Sequence, residues 1–189
     1  MGFALVTPSL DRLPGYAAAL RQGWSPDNTR PAAAGEQLAR IEVDPAAFVS
    51  SLDDLAARGE PVTLPDGSTV PRLPGYVRWM WDGEFCGFIG FRWQNGTEAL
   101  PPHCLGHIGF SVVPWKRRCG YATAALRLLL PQAKQRGLAH VELTTDPDNI
   151  ASQRVLEKNG FNRYGVARGL LLIAGEWRDH VLFERIADV

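Results

Sequence analysis

Tyr76-Val77-Arg78-Trp79-Met80-Trp81, then Asp82-Gly83, then Phe85-Cys86-Gly87-Phe88-Ile89-Gly90-Phe91 is the stretch whose reading decides the fold. Two β-rich runs flank an Asp-Gly pair, and Asp-Gly tolerates the positive φ angles that a tight turn between twisted strands requires. Two antiparallel strands are predicted. Downstream, residues 106–113 are another β-rich run, stopped by Pro114. Residues 120–135 then place Ala122, Ala125, Leu126, Leu129 and Ala133 at helical spacing, with Pro131 as an expected kink and Gly137 as the stop. Residues 140–145 read as a strand, 150–158 as a short helix ended by Asn159-Gly160, and 161–167 and 181–186 as closing strands. A hairpin followed by strand, helix, strand, helix predicts an α/β protein. Its central sheet should be mixed and mostly antiparallel, flanked by helices, because a helical crossover returns the chain parallel to the preceding strand.

Upstream the signals are weaker. Phe3-Ala4-Leu5-Val6 reads as a strand, and Ser9 or Asp11 as the cap of a helix carrying Leu13, Tyr16 and Leu20 on one face. Trp24-Ser25-Pro26-Asp27-Asn28 is turn chemistry. Residues 37–41 and 45–58 form a second helical region, with Asp44 as N-cap, Pro45 at the first helical position and Gly59 as stop. The Pro- and Gly-rich residues 61–75 read as a loop with room for one short strand.

The composition bounds the function. Among 189 residues, 20 Lys and Arg balance 20 Asp and Glu, which argues against a protein built to grip a polyphosphate backbone, so nucleic acid is not an expected partner. The most apolar run, 121–130, contains Arg127 and precedes Pro131, far from the roughly 18 apolar residues of a membrane span. No basic residue precedes Arg12 and Asp11 interrupts any secretory core, so export is not expected. Cys86, Cys104 and Cys119 are an odd set without paired spacing, which suits a reducing compartment and a cytoplasmic location. A single domain over residues 1–189 is expected.

The chemistry concentrates in residues 112–123, where a strand end, a basic Gly-containing loop and a helix start follow one another. Free N–H groups of a first helical turn, the helix dipole, and a Gly that lets the backbone approach an anion together suit phosphate. Lys116, Arg117 and Arg118 add charge. Taken alone, the same residues read equally as a surface loop capping a helix.

They do not stand alone. Arg117-Arg118-Cys119-Gly120-Tyr121-Ala122 resembles the Q/R-x-x-G-x-G/A pyrophosphate loop of the GNAT superfamily of acetyl-CoA-dependent N-acetyltransferases. Asn149-Ile150-Ala151-Ser152 through Leu156-Glu157-Lys158-Asn159-Gly160-Phe161 resembles that family's second signature, in the right order and spacing. The resemblance is strongest over residues 76–161. It weakens toward Ile186, where Gly175-Glu176-Trp177-Arg178-Asp179 is similar to a hairpin of the ribosomal-protein alanine acetyltransferase branch. Residues 1–75 carry little signature.

The resemblance implies transfer of an acetyl group from acetyl-CoA, as co-substrate, to a small-molecule or peptide amine by direct attack in a ternary complex. Residue by residue, it implies that backbone groups of Val112 and Val113 meet the pantetheine arm and acetyl carbonyl where two strands splay. The loop of Arg117, Arg118, Cys119, Gly120, Tyr121, Ala122 and Thr123 would hold the pyrophosphate, and Asn149 and Ser152 would lie along the cofactor. From the residues alone, Asn149 is also a helix N-cap and Ser152 a solvated first-turn residue, and capping can coexist with cofactor contact.

Two departures bear on mechanism. Where many family members carry a Tyr that protonates the departing thiolate, this chain has Leu156. Ser152, Tyr121, Tyr164 or water could supply that proton, and a thiolate leaves without obligatory acid help. A non-catalytic CoA-binding module is therefore the alternative reading, and an acyltransferase for longer acyl chains a third. His107 stands where related sequences often carry Glu. An imidazole titrating near pH 6.5 suits a base for an amine nucleophile, and the same residue reads equally as a structural or substrate-contacting strand histidine. Glu84 and Glu142 are lesser candidates. His103 and His107 would lie roughly 13 Å apart on an extended strand, too far to share zinc, so no metal is expected. Cys119 reads as a passenger thiol, because transfer in the family is direct. Trp24 and Trp177 fall in segments that could border an acceptor pocket.

Overall fold

The computed structural model describes the chain except residues 1, 28–29, 31, 65–66, 174–175 and 187–189, together with the side chains of 171–173. Asn28 of the expected turn and Gly175 of the hairpin resemblance lie outside the described residues. In chain order the elements are β1 (Ala4–Val6), α1 (Leu13–Arg21), α2 (Ala33–Val43), α3 (Pro45–Ser50), β2 (Asp53–Asp54), β3 (Val62–Thr63) and β4 (Thr69–Val70). Then come β5 (Gly75–Trp81), β6 (Phe85–Arg92), β7 (Ile108–Val112), α4 (Tyr121–Gln135), β8 (His140–Thr145), α5 (Ile150–Lys158), β9 (Asn162–Ile173) and β10 (Glu176–Ile186). A 3₁₀ turn, Pro114–Lys116, links β7 to the loop before α4.

The predicted hairpin forms, with Tyr76 opposite Phe91 and Met80 opposite Gly87. It lies inside a sheet ordered β1-β5-β6-β7, with β2 also on β5, while β8-β10-β9 make a second sheet. The expected mixed, mostly antiparallel sheet is thus two antiparallel sheets side by side. The crossover through α4 lays β8 next to β7, but among the described residues the bridge to β8 comes from Gly106, just before β7, to Leu143.

Two apolar clusters hold the layers. On one face, Ala125, Leu126, Leu129 and Ala133 of α4 and Leu156 of α5 pack on Ile89 and Phe91 of the first sheet and on Val141, Leu143, Val181 and Phe183 of the second. This cluster spans both sheets, so α4 and α5 cover a common face. On the opposite face of the first sheet, Leu13, Tyr16, Leu20, Ile41 and Phe48 from α1–α3 pack on Trp79, Phe85 and Val113. Residues of the second sheet join only the first cluster. Its other face carries His140, Glu142 and Thr144 of β8.

Four expectations are corrected. Neither Ser9 nor Asp11 caps α1; the Ser9 carbonyl accepts the Leu13 N–H at 2.9 Å, and Pro14 in the first turn needs no N–H partner. Asp44 caps α3 as expected, accepting from Ala47 N at 2.9 Å, but the helix stops at Ser50 rather than running to 58. Asp53 and Asp54 pair with β5 instead, and the Asp54 carboxylate takes the N–H groups of Arg58 and Gly59, so tertiary pairing outweighs helix propensity. Residues 61–75 hold two short strands, β3 and β4, rather than one. The closing strands are longer than expected, and β9 and β10 form a hairpin in which Ile173 faces Glu176.

Candidate functional site

Where β7 and β8 part, they leave a cleft. His107 marks its apex. Its carbonyl accepts from Arg92 N and its N–H donates to Glu142 O, each at 2.8 Å, while its Nδ1 accepts from Glu142 N at 3.0 Å. Past this point, among the described residues, the backbone ladder of β7 runs to β6. Antiparallel ladders alternate bonded and non-bonded pairs. Val113 N–H donates to Cys86 O at 3.0 Å, so the neighbouring pair Val112 and Gly87 is a non-bonded one. The polar backbone of Val112 therefore faces away from β6, toward the cleft. Val113 corrects the expectation: its N–H is held by Cys86 and its carbonyl by Lys116 N–H at 3.0 Å, so neither is open to a pantetheine arm.

The basic loop lies at the wide end of the cleft. Arg118 sits at φ 65 and Gly120 at φ 80, a pair of left-handed residues that folds the loop back over the start of α4. No side chain caps that helix, and its first intrahelical bond runs from Ala124 N–H to Gly120 O. The N–H groups of Tyr121, Ala122 and Thr123 are thus presented at the positive end of the helix dipole. Arg117, Arg118, Cys119 and Gly120 are exposed, and Arg117 Nε donates to Val112 O at 3.2 Å, tying the loop to the cleft wall. A bound anion would complete this arrangement.

Lys116 does not serve that anion. Its Nζ lies 2.9 Å from Asp82 Oδ2 and 3.5 Å from Glu84 Oε2, and Tyr121 Oη donates to the same Asp82 oxygen at 2.5 Å. Asp82 belongs to the β5–β6 turn, so one carboxylate clamps both ends of the basic loop to the hairpin. The Tyr121 and Lys116 hydrogen bonds hold the Asp82 carboxyl well below its ordinary range despite burial. The same bond pushes Tyr121 up to about 12, and its proton is already donated. Asp82→Ala is expected to weaken CoA binding roughly fivefold, the scale of a partly exposed ion pair, with turnover at saturating CoA unchanged. Isothermal titration and a split of kcat from KM check this, and equal losses in both would mean general disruption instead.

The second signature is positioned at the start of α5. Asn149 Oδ1 accepts from Ser152 N at 3.1 Å, so Asn149 caps the helix and, among the described residues, keeps its amide nitrogen for a ligand. Ser152 is half-buried beside it. Leu156 is 1% exposed within the core, so no hydroxyl stands at that position. Tyr164 is exposed with its hydroxyl 3.5 Å from Glu142 Oε1, and Glu84 is turned to Lys116.

His107 itself is fully buried. Because Glu142 N–H can only donate, Nδ1 must carry the lone pair and Nε2 the proton, and burial lowers the pKa against the pull of Glu142. The ring offers no lone pair to an incoming amine, so the base reading gives way to a structural one. On the other side of the first sheet, a cavity of about 270 Å³ opens between α2 and β5–β6, floored by Tyr16, Trp79 and Phe88 and edged by Arg30, Glu36 and Arg40. Trp24 is buried, donating from Nε1 to Ser111 Oγ at 3.0 Å, whereas Trp177 is 67% exposed on β10. Among the described residues no three metal-ligating side chains gather and no helix is long and apolar enough to cross a membrane.

Two residues escaped the sequence. Asp82 reads from the sequence as turn chemistry, and His180, buried on β10, carries no motif of its own. A polar residue in a tight turn between strands and a His at the head of an apolar run, 180–183, were the only signals.

The acetyltransferase (GNAT) family model matches residues 38–161, which extends the sequence resemblance upstream into α2. Probable N-acetyltransferase YjcK of Bacillus subtilis (strain 168) is 42% identical over 62 residues, 32% of this chain and 34% of that protein, so the match spans about a third of the relative. Among solved structures, Mycobacterium smegmatis RimJ in complex with CoA-disulfide is similar at TM-score 0.69 and 23% identity, covering 98% of this chain and 82% of that one. Microcin C7 self immunity acetyltransferase MccE in complex with acetyl-CoA and AMP gives 0.66 at 13%, covering 97% and 92%. RimL, the ribosomal L7/L12 alpha-N-protein acetyltransferase, in complex with CoA gives 0.63 at 16%, covering 98% and 94%. At these identities the likeness is one of fold.

Proposed function

The chain belongs to the acetyltransferase (GNAT) family, and from that premise we propose that it moves an acetyl group from acetyl-CoA to the primary amine of a small molecule or peptide. The observation that carries this reading is the uncapped start of α4 behind Arg117, Arg118 and Gly120, joined through Arg117 to Val112 on the cleft wall. Backbone N–H groups of residues 118–123 hold the pyrophosphate, Val112 and Asn149 line the pantetheine arm, and Ser152 lies beside it. The amine attacks the thioester carbonyl directly; the C–N bond forms, the C–S bond breaks, and the thiolate leaves with a proton from Ser152 or water. His107 keeps the cleft apex closed. RimL's being a ribosomal-protein α-N-acetyltransferase supports a peptide α-amine as one acceptor class, and the three free cysteines support a cytoplasmic setting for one domain over 1–189.

Leu156 favours a second reading, a CoA-binding module without catalysis. Acetyl-CoA with a panel of amines and peptides, followed by thiol release, separates the two, and propionyl- and succinyl-CoA test the acyl chain. CoA at about 100 times its Kd should stabilise the protein by about 2.7 kcal/mol, roughly 5–10 °C in Tm for a chain of this size. A shift without thiol release leaves only the module; no shift removes both.

His107→Ala is expected to lower Tm and leave the pH dependence of the rate in place. Burial holds both His107 and His180 below 6.5, so the unfolded chain binds more protons than the folded one as pH drops beneath that value. Stability should fall with pH through that window. Thermal melts at pH 5 and 7 check the sign, and His107→Ala should flatten part of the slope.

A further inference from the structure

Three buried side-chain nitrogens lack a hydrogen-bond partner among the described residues: Trp79 Nε1, His107 Nε2 and His180 Nε2. Buried polar atoms are rarely left so, and each asks for an explanation. Trp79 belongs to the aromatic stack under α1, and His107 is pinned at the apex by its other nitrogen. His180 differs on three counts.

The first is its place. In β10, Leu182 pairs with Thr144 and Glu184 with Glu142, so His180, Leu182 and Glu184 share one face of the second sheet with His140, Glu142 and Thr144. Val181 and Phe183 point the other way, into the cluster under α4 and α5. His180 therefore lies on the side that α1–α3 occupy over the first sheet. Thr144 follows Leu143, which is bridged to Gly106 just before β7, so it is the first position on the β8 wall of the cleft. Across the cleft, Ser111 of β7 takes the Trp24 N–H on this same side.

The second is its partner. His180 Nδ1 lies 3.2 Å from Thr144 Oγ1. A hydroxyl accepts as readily as it donates, so Nδ1 can carry the proton and give it to Thr144, leaving the lone pair on a buried Nε2 that has no partner among the described residues. The Glu142 N–H forbids that tautomer at His107. The third is its surroundings. The residue is 7% exposed, and Asp146 is the charged group acting on the ring; Thr144 from β8 and Ala167 from β9 are uncharged, and neighbouring Asp179 accepts from Gly169 N.

We propose that His180, oriented by Thr144, is the base that accepts a proton from the acceptor amine at Nε2. This rests on the acetyltransferase reading. The ammonium form of the acceptor transfers one proton to Nε2, and the freed lone pair attacks the thioester carbonyl. As the C–N bond forms and the C–S bond breaks, the second nitrogen proton is relayed through Ser152 or water to the departing thiolate, and His180 returns its own to solvent. Burial keeps the ring neutral near pH 7 and so ready to accept, while Asp146 pulls the other way.

The test begins with wild type and an amine that gives measurable thiol release; absence of release with every amine overturns the acetyltransferase reading itself. Given release, His180→Gln should cut kcat/KM by about 10²-fold, the usual scale for a lost general base, keep the CoA Kd, and erase the acid limb of the pH–rate profile below 6.5. Thr144→Val should keep that limb but move it and lower kcat. An acid limb surviving in His180→Gln, or a rate within a few fold of wild type, overturns the assignment. If His180→Gln does not fold, the limb in Thr144→Val decides: an unmoved limb and unchanged kcat overturn the proposal, and a moved one supports it.

Discussion

Replacing Arg117 and Arg118 together with Ala is expected to weaken CoA binding about 10²-fold while the Tm of the free protein stays within a few degrees of wild type. Each guanidinium meeting a phosphate oxygen contributes about 1.5–3 kcal/mol, and exposure to solvent brings two of them to about 3 kcal/mol in total, or two decades in Kd. Both side chains are exposed, and among the described residues Arg117 Nε to Val112 O is the bond that ties them to the fold, so little stability goes with them. Gly120→Ala probes the same loop from the backbone. A Cβ at Gly120 would meet no neighbouring protein atom within 4 Å, so a loss of affinity does not come from a clash inside the protein. Its φ of +80 costs a side chain about 1 kcal/mol, near 2–4 °C in Tm for a chain this long. Calorimetric titration with CoA and melts with and without ligand separate the two effects. Wild-type Kd in both variants would remove the loop from the cofactor site and with it the main physical support for the function.

That loop was legible because its information is local: a strand end, two Arg, one Gly and a helical period within twelve consecutive positions. The same holds for the β5–β6 hairpin and for Asp44 as a cap. What the sequence concealed depends on partners far along the chain. Asp82 looks like half of a turn until Lys116 and Tyr121, 34 and 39 positions on, close over it. His180 has no meaning without Thr144, 36 positions earlier, and without the pairing that sets both on one face. The helix expected over 45–58 failed for a related reason: Pro45-Ala46-Ala47-Phe48 starts a helix locally, but the edge of β5 offers Asp53 and Asp54 a ladder that local propensity cannot foresee. The β9–β10 hairpin was cut short because Arg168, Glu176 and Asp179 break the apolar pattern on an exposed strand pair.

Gly87→Ala should be the most damaging single substitution in the sheet, although it adds one methyl group. Gly87 has φ +148, where the β5–β6 register shifts beyond Met80, and its absent side chain is directed at β7. A Cβ there would land on the Ser111 carbonyl oxygen and stand 2.9 Å from Val112 Cα. These are backbone atoms of a strand that Trp24, in the turn after α1, also holds through Ser111 Oγ, so they cannot yield as a side-chain tip would. Overpacking and backbone strain together should cost about 3–5 kcal/mol, a large share of the 5–15 kcal/mol typical of a folded domain. Gly90, three residues along the same strand, is the control. Its φ is not in the left-handed region, and its added Cβ would find nothing closer than 3.7 Å. Gly90→Ala should therefore change Tm by a degree or two where Gly87→Ala lowers it by about 10 °C or more. Equal melting temperatures would mean that β6 and β7 can separate at no cost. The cleft wall carrying Val112 would then not be the rigid edge that the proposed acetyl-CoA site requires.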